Sequence, residues 1–224
     1  MIVHAQDIVD ELKQEPRSEQ KAVASPQRSL LPLQNATIQG KFDLRNLVID
    51  KPLEIQHCHF KDEVDLRYCE FKQVVNFANC TFDQDLNSGD EIESHTIYHK
   101  DLIFSGTTFI GTMRFNGAKV EGSAYFLDAW FLNEEHSADF TASSFGKTLE
   151  CNNAVFRGPV SFSMLHCSNN GYFNNARFES TGEARFAFAS FGTHIECVNA
   201  VFKGKATFHK VSCGGSGHFE NARF

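Results

Sequence analysis

The most regular feature of the chain is a pair of apolar residues two positions apart, which recurs every five or six residues. Steps of five and six alternate, so equivalent positions lie eleven residues apart, as at Phe145, Phe156, Cys167 and Phe178. Residues two positions apart on an extended strand point to the same side. Gly, Asn, Asp and other polar residues between the pairs are typical of turns. The pattern therefore predicts many very short strands, each with a large and a smaller side chain directed inward.

Two other folds fit this pattern less well. A helix would place apolar residues at i, i+3, i+4 and i+7. An antiparallel sandwich would need strands of about five residues or more with regular hairpin signals. A short, fixed period is typical of a solenoid, in which one small unit stacks on itself. We therefore predict an all-β solenoid over residues 36–224.

The repeated segments resemble those of pentapeptide-repeat proteins, in a variant with alternating five- and six-residue steps. The resemblance covers roughly residues 35–224 and is carried by segments such as ANCTF, NAVF, NARF, FRGPVSF and FKGKATF. It implies a right-handed quadrilateral β-helix with four faces per coil. The chain departs from the family pattern in its six-residue steps and in the cysteines at inward positions. Members of this family mostly lack a known activity, although some mimic DNA and act on type II topoisomerases such as gyrase.

Four faces per coil give a coil of 22 residues and about eight coils. At about 4.8 Å per stacked strand, the rod is on the order of 35–40 Å long. Two columns of stacked rings are then predicted in the core: Phe109, Phe131, Phe156, Phe178, Phe202 and Phe224, and Phe115, Phe140, Phe162, Phe186 and Phe208. One corner is predicted to carry a ladder of amide side chains: Asn153, Asn175, Asn199 and Asn221.

Two steps of the repeat are longer than the others. Nine residues separate Phe131 from Phe140, and eight separate Phe178 from Phe186, where six are expected. Both steps fall at the same corner, two coils apart. We therefore predict adjacent outward bulges over residues 132–139 and 179–185.

Two segments lie outside the repeat. Residues 4–14 place apolar side chains on one helical face, which predicts a short helix that covers the first coil or docks on a partner. Together with a linker over 15–35 it forms a predicted N-terminal region over 1–35. Residues 83–101 are acidic and are predicted to form a loop that interrupts the β-helix, either solvated or partner-binding. The Asp and Asn spacing in this loop echoes a calcium loop, but Ser94 stands where the twelfth-position Glu is required.

Charge and cysteine content narrow the function classes. The formal net charge is −7, and residues 1–112 carry all the excess acid. We therefore expect no direct binding of nucleic acid. The seven cysteines are an odd number, which favours reduced thiols. No apolar run is long enough to span a membrane, and the N-terminus lacks a secretory signal. These features indicate a cytoplasmic protein that does not bind a membrane.

The sequence contains no convincing catalytic or cofactor-binding motif. HExxH, GxSxG and GxxxxGK[ST] do not occur, and the GGSG at 214–217 falls in a predicted turn. All seven cysteines occupy inward positions and are expected to pack as small apolar side chains. We expect no catalytic residue, no cofactor-binding residue and no metal site, and hence no enzyme.

The sequence favours a non-enzymatic scaffold that binds an unknown protein partner through outward faces, the 83–101 loop or the two bulges. The candidate partner-binding residues are Asp85, Asp90, Glu91, Glu93, His95, His99, Glu134 and Glu135. One alternative, implied by the resemblance, is a DNA-mimic modulator of a type II topoisomerase. Another is a structural or targeting module of a longer protein. A further candidate is a homodimer formed through an open coil end, because exposed strand edges tend to pair.

Overall fold

A computed structural model describes residues 1–13, 29–89 and 96–224. These residues form short parallel strands in four sheets, which stack as a β-solenoid of about eight turns. One short helix accompanies them. The prediction of an all-β, four-sided solenoid is confirmed.

Each sheet forms one side of the solenoid, and from Thr37 onward the chain visits faces 1 to 4 in order in each coil. Face 1 contains Ile2–His4, Thr37–Gln39, His59–Phe60, Thr81–Phe82, Thr108–Phe109, Trp130–Phe131, Val155–Phe156, Arg177–Phe178 and Val201–Phe202. Face 2 contains Phe42–Asp43, Val64–Asp65, Leu86–Asn87, Met113–Arg114, Ala138–Asp139, Val160–Ser161, Ala184–Arg185 and Ala206–Thr207. Face 3 contains Val48–Ile49, Glu70–Phe71, Ile97–Tyr98, Lys119–Val120, Ser144–Phe145, His166–Cys167, Ser190–Phe191 and Ser212–Cys213. Face 4 contains Leu33–Gln34, Leu53–Gln56, Val75–Asn76, Leu102–Ile103, Ala124–Tyr125, Leu149–Glu150, Gly171–Tyr172, Ile195–Glu196 and Gly217–His218.

The core consists of stacked aromatic columns. On face 1, Phe131 stacks on Phe109 and Phe156 with ring centroids 4.8 and 4.6 Å apart. On face 2, Phe162 stacks on Phe140 and Phe186 at 5.1 and 4.8 Å. Rings of adjacent faces meet edge to face, which is a favoured arrangement for aromatic pairs. The predicted aromatic columns are therefore present.

Two opposite corners are built from residues in the left-handed backbone conformation. At the corner between faces 4 and 1, Asn153, Asn175, Asn199 and Asn221 all have φ near +60°. Asn tolerates this conformation better than most residues do. Each amide nitrogen from Asn175 onward donates to the amide oxygen of the previous coil's Asn at 3.2 Å. The predicted amide ladder is confirmed.

Small polar side chains occupy several inward positions without loss of hydrogen bonding. Thr107 donates its hydroxyl to a backbone carbonyl oxygen of the preceding coil at 2.7 Å. The thiols of Cys69 and Cys80 do the same at 2.7 and 3.2 Å. Six of the seven cysteines are buried, and Cys213 in the last coil is partly buried. The cysteines are therefore core residues, as their positions in the repeat predict.

The N-terminal residues are more closely joined to the solenoid than expected. Helix α1, Ala5–Lys13, buries Ala5, Ile8, Val9 and Leu12 against the first coil. The strand Ile2–His4 pairs with Thr37–Gln39, and Leu33–Gln34 pairs with face 4. Part of the predicted region 1–35 thus belongs to the sheets, whereas residues 14–28 of the predicted linker lie outside the described residues. No described helix has the length and apolar character of a membrane span.

The structure corrects the predicted loop over 83–101. Leu86–Asn87 and Ile97–Tyr98 continue faces 2 and 3 in register, so only residues within 90–95 remain outside the described coil. The sequence pattern failed here because Ser88 stands where a large apolar residue is expected. Tyr98 is fully buried, and its hydroxyl lies 2.7 Å from the Ser88 hydroxyl. This polar contact within the core replaces the usual apolar pair.

Candidate interaction groove on face 2

The two long steps of the repeat project from the corner between faces 1 and 2. The first bulge joins Trp130–Phe131 to Ala138–Asp139, and the second joins Arg177–Phe178 to Ala184–Arg185. The coil between them crosses the same corner by the short segment Arg157–Gly158–Pro159. The bulges therefore lie two coils apart with a shorter corner between them, as predicted. They end at Ser137 and Glu183, because the last two residues of each predicted bulge belong to strands of face 2.

Local hydrogen bonds hold both bulges in shape. In the first, the side-chain oxygen of Asn133 accepts the backbone N–H groups of Glu135 and His136, both at 3.0 Å. The Ser137 hydroxyl contacts the carbonyl oxygens of Gly158 and Pro159 at 2.9 Å. In the second bulge, Ser180 accepts the N–H of Gly182 at 2.9 Å. Such turns within a loop fix the direction of the projecting side chains.

A groove of about 680 Å³ opens on face 2 beside the two bulges. Its size is within the range of ligand-binding clefts in proteins. Its lining combines charged, amide, hydroxyl and apolar side chains: Thr112, Arg114, Asn116, His136, Ala138, Asp139, Pro159, Val160, Ser161, Glu183 and Arg185. The groove therefore offers donors, acceptors and charges of both signs over a small apolar floor.

Charged pairs lie at two opposite ends of the groove. At one end Arg114 donates to Asp85 at 2.5 Å and to Asn87 at 3.1 Å. Partial burial disfavours ionisation of Asp85, but hydrogen bonds from Arg114 and Thr112 outweigh it and lower the pKa of this carboxyl. Asp85 is therefore ionised at neutral pH and holds the Arg114 guanidinium in place.

At the other end, Glu183 is the centre of a second charged cluster. Its carboxylate accepts from the Thr207 hydroxyl, from Arg185 at 2.5 Å and from Lys205 at 3.0 Å. These hydrogen bonds lower the pKa of Glu183 to about 2. Arg185 and Lys205 are largely exposed, with side-chain exposures of 60% and 74%. Their remaining donors are directed to solvent, where a partner can reach them.

An apolar ridge borders face 2 on the side opposite the bulges. Met164 and Phe188 lie at the corner between faces 2 and 3 in consecutive coils, with left-handed φ angles of +56° and +60°. They are 47% and 52% exposed. Lys210 lies over the Phe188 ring, with Nζ 5.3 Å from the centroid. The His209 ring also meets the Phe188 ring edge to face at 5.4 Å. Left-handed backbone costs a bulky residue roughly 1–2 kcal/mol, so backbone geometry does not favour these side chains.

The structure brings only some of the sequence-predicted site residues to this groove. Asp85 anchors one end, and Glu134 and Glu135 are exposed in the first bulge. His99 lies on face 3, away from the groove, between Glu70 and Glu121 at 2.8 Å each. The other four predicted residues lie outside the described residues: Asp90, Glu91, Glu93 and His95.

Sequence reasoning missed most of the groove. Arg114, Arg185 and Glu183 were not selected because single charged residues at outward positions of a solenoid look like ordinary surface. A signal for the ridge was present, since Met164 and Phe188 stand at a corner where other coils carry Asn46 or Gly117. The presence of a large apolar residue at a position where other coils have a turn residue could have identified the ridge.

Burial explains why the cysteine thiols are unreactive. It raises the pKa of Cys69, Cys80 and Cys197 to about 12, so these thiols are protonated and unreactive at neutral pH. The described residues contain no cluster of three or more His, Cys, Asp or Glu side chains arranged to hold a metal ion.

Comparison of this chain with protein-family profiles, curated proteins and solved structures found no match. The groove and its charges therefore have to be interpreted from their own geometry.

Proposed function

We propose that this protein is a non-enzymatic interaction scaffold that binds a protein partner in the groove on face 2. We also propose that it is a pentapeptide-repeat protein of the variant with alternating five- and six-residue steps. The NAVF and NARF segments and the coil of four short parallel strands support this family assignment.

The observation that carries the functional proposal is the placement of both long steps at one corner, along one edge of the groove. A solenoid binds partners most often through insertions on one face, because the stacked core is indifferent to what projects from it. The groove extends over four coils, which is about 14 Å at about 4.8 Å per coil. An extended polypeptide of about four residues fits that length. Its backbone would find donors and acceptors in Asn116 and Ser161, and its charges would meet Arg185 or Asp139.

Two features of the described residues favour binding over catalysis. The strongest charges in the groove, Arg114 and Arg185, are held in ion pairs with Asp85 and Glu183. The low pKa values of these two carboxyl groups make them poor general acids or bases near neutral pH.

The DNA-mimic alternative receives less support from face 2. Its carboxylates in the first coils are neutralised by neighbouring cations: Asp43 by Arg45 at 2.7 Å, and the fully buried Asp65 by Arg67 at 2.7 Å. DNA presents an uninterrupted row of unpaired negative charges, whereas this face presents alternating signs. A role as a structural or targeting module of a longer protein remains a separate proposal.

The short corner at Gly158–Pro159 shows how the two bulges can be shortened for a test of this proposal. Deletion of Glu134, Glu135 and His136 reduces the first long step to six residues, and deletion of Thr181 and Gly182 does the same for the second. Both variants are expected to keep the solenoid, measured by circular dichroism, because only loop residues are removed.

The intact protein and the two shortened variants would be used to capture partners from the native source, and each captured partner would then be purified and titrated. We expect the dissociation constant to rise at least tenfold in both shortened variants. Lys147→Ala, at an exposed position of the corner between faces 3 and 4, is the matched control and should bind normally. Equal binding by the shortened variants and the intact protein, or no partner for the intact protein, would contradict the proposal.

A further inference from the structure

Face 1 carries a second surface whose composition changes along the solenoid. Its outward positions are apolar in the middle coils, where Trp130 is 44% and Ile110 46% exposed. Leu132, at the start of the first bulge, is partly exposed beside them. Parallel pairing aligns Trp130 with Val155 in the next coil and Val155 with Arg177 in the one after. A flat apolar area is therefore followed directly by a charged one.

The charged area contains three cations around a single carboxylate. Glu179 lies 2.5 Å from the Arg177 guanidinium, 3.9 Å from Lys203 Nζ and 4.0 Å from Arg157 Nε. The cations are about half exposed, whereas Glu179 is only 19% exposed. Within this cluster the cations outnumber the carboxylate by two, on a chain whose net charge is −7.

We propose that this patch, formed by Ile110, Trp130, Leu132, Arg157, Arg177 and Lys203, binds a protein segment that carries a large apolar side chain next to two or more carboxylates. Trp and Arg are the residues that contribute most often to binding energy at protein interfaces. The distance from Trp130 to Arg177 spans two coils, about 10 Å at about 4.8 Å per coil. An apolar anchor and acidic residues three positions away on an extended segment would match that distance.

Other occupants fit the patch less well. A nucleic acid or an anionic membrane would meet only two spare positive charges and repulsion from the rest of an acidic chain. A second copy that paired symmetrically through face 1 would have to present unpaired carboxylates from that same face. There, Asp83 is already bound by His59 at 2.6 Å and by Lys61 at 2.9 Å, so it is not available to the cations. The charge pattern therefore favours a different, acidic partner.

This proposal rests on the scaffold function but not on the groove of face 2, and one experiment separates them. A random dodecapeptide library displayed on phage would be selected on the full chain, and the enriched peptides would be synthesised. Trp130 is the chain's only tryptophan, so its fluorescence reports occupation of the patch directly. The peptides would be titrated into the intact protein, Trp130→Ala, Arg177→Glu, the groove variant Arg185→Ala and Lys147→Ala, with peptide anisotropy as the readout where Trp130 is absent.

We expect the enriched peptides to combine an aromatic or aliphatic residue with Asp or Glu and to change the Trp130 emission. Arg177→Glu and Trp130→Ala should each weaken binding at least tenfold, whereas Arg185→Ala and Lys147→Ala should bind as the intact protein does. If Trp130→Ala does not fold, Ile110→Asp replaces it. Enriched peptides without acidic residues, or no enrichment at all, would overturn the proposal. Loss of binding in Arg185→Ala alone would assign the peptides to the groove and would also overturn it.

Three further probes complete the test. Single-stranded DNA, phosphatidylglycerol vesicles and increasing concentration of the protein itself should leave the Trp130 emission unchanged in the concentration range where the peptides bind. A change with any of these probes would identify a different occupant and would refute the acidic protein segment.

Discussion

Replacement of Phe156 by Ala tests the aromatic column that holds the coils together. The Phe156 ring is fully buried and stacks on Phe131 at 4.6 Å and on Phe178 at 5.1 Å. Loss of a buried Phe side chain removes its transfer free energy and leaves a cavity, which together cost about 3–5 kcal/mol. Phe224 lies in the same column but is 72% exposed; it stacks on Phe202 at 5.0 Å and meets Phe208 edge to face at 6.3 Å. Phe224→Ala should therefore cost less than about 1 kcal/mol, since little apolar area is removed from water there.

The assay has to detect local as well as global unfolding. Each coil contacts only its neighbours, so stability is approximately a sum of coil and interface terms, and a two-state transition is not assured. Hydrogen exchange followed by mass spectrometry should show early loss of protection around Phe131, Phe156 and Phe178 in Phe156→Ala, with the first coils unaffected. Phe156→Asp should extend this loss, because it adds a buried, unpaired charge.

Chemical denaturation of the same variants provides the magnitude. The prediction requires Phe156→Ala to be destabilised by at least about 2 kcal/mol more than Phe224→Ala, given the two ranges expected from burial. Destabilisation of the two variants by equal amounts would show that the position in the column does not determine the contribution of a ring. Exchange that increases evenly along the whole chain would refute the local coupling between coils.

Three further predictions concern outward residues. The ring N–H groups of protonated His99 donate to the carboxylates of Glu70 and Glu121, which raises the pKa of His99, so this contact stabilises the fold fully below the ordinary His pKa of about 6.5. That stability is lost as the pH rises through the higher folded-state pKa; urea denaturation from pH 5 to 9 should show this loss, and His99→Gln should not show it. Asn175→Ala removes the middle of the amide ladder and places Ala in left-handed backbone; it should cost about 1 kcal/mol per lost hydrogen bond in addition to the backbone cost, measured by the same denaturation, and no loss would mean that water replaces the ladder. Phe188→Asn should stabilise the protein by roughly 1 kcal/mol, because Asn tolerates left-handed backbone better than Phe; a lower melting temperature would show that the Phe188 ring contributes to packing.

Most of the fold follows from the sequence because the constraints on a solenoid are local. Every inward position repeats within a short distance, and the step between large residues sets the length of each corner. The pattern fails between Cys80 and Leu102, where two polar groups, the hydroxyls of Ser88 and Tyr98, meet inside the core. A pattern based on hydrophobicity cannot recognise such a pair, since neither residue is apolar enough to be assigned to an inward position by itself.

The candidate site was less predictable than the fold. The bulges could be located because they lengthen the steps Phe131–Phe140 and Phe178–Phe186. The groove beside them depends also on how far the intervening coil recedes at Pro159, which step length does not give. The patch on face 1 depends on three cations from three different coils meeting at Glu179. Single residues on the sequence do not show such convergence until the register of the coils is known.

The separation of inward and outward positions determines which surface residues are informative about function in this fold. Stacking of the coils fixes the backbone, so most outward side chains can change without effect on folding and their identity says little. Residues that act against stability are different. Phe188 exposes an apolar ring from left-handed backbone, and the three cations at Glu179 are held together against their mutual repulsion. Each arrangement keeps some local contacts, since Lys210 and His209 lie against the Phe188 ring and Glu179 lies among the three cations. We propose that binding is the reason for both arrangements, and these residues are therefore the ones to mutate first.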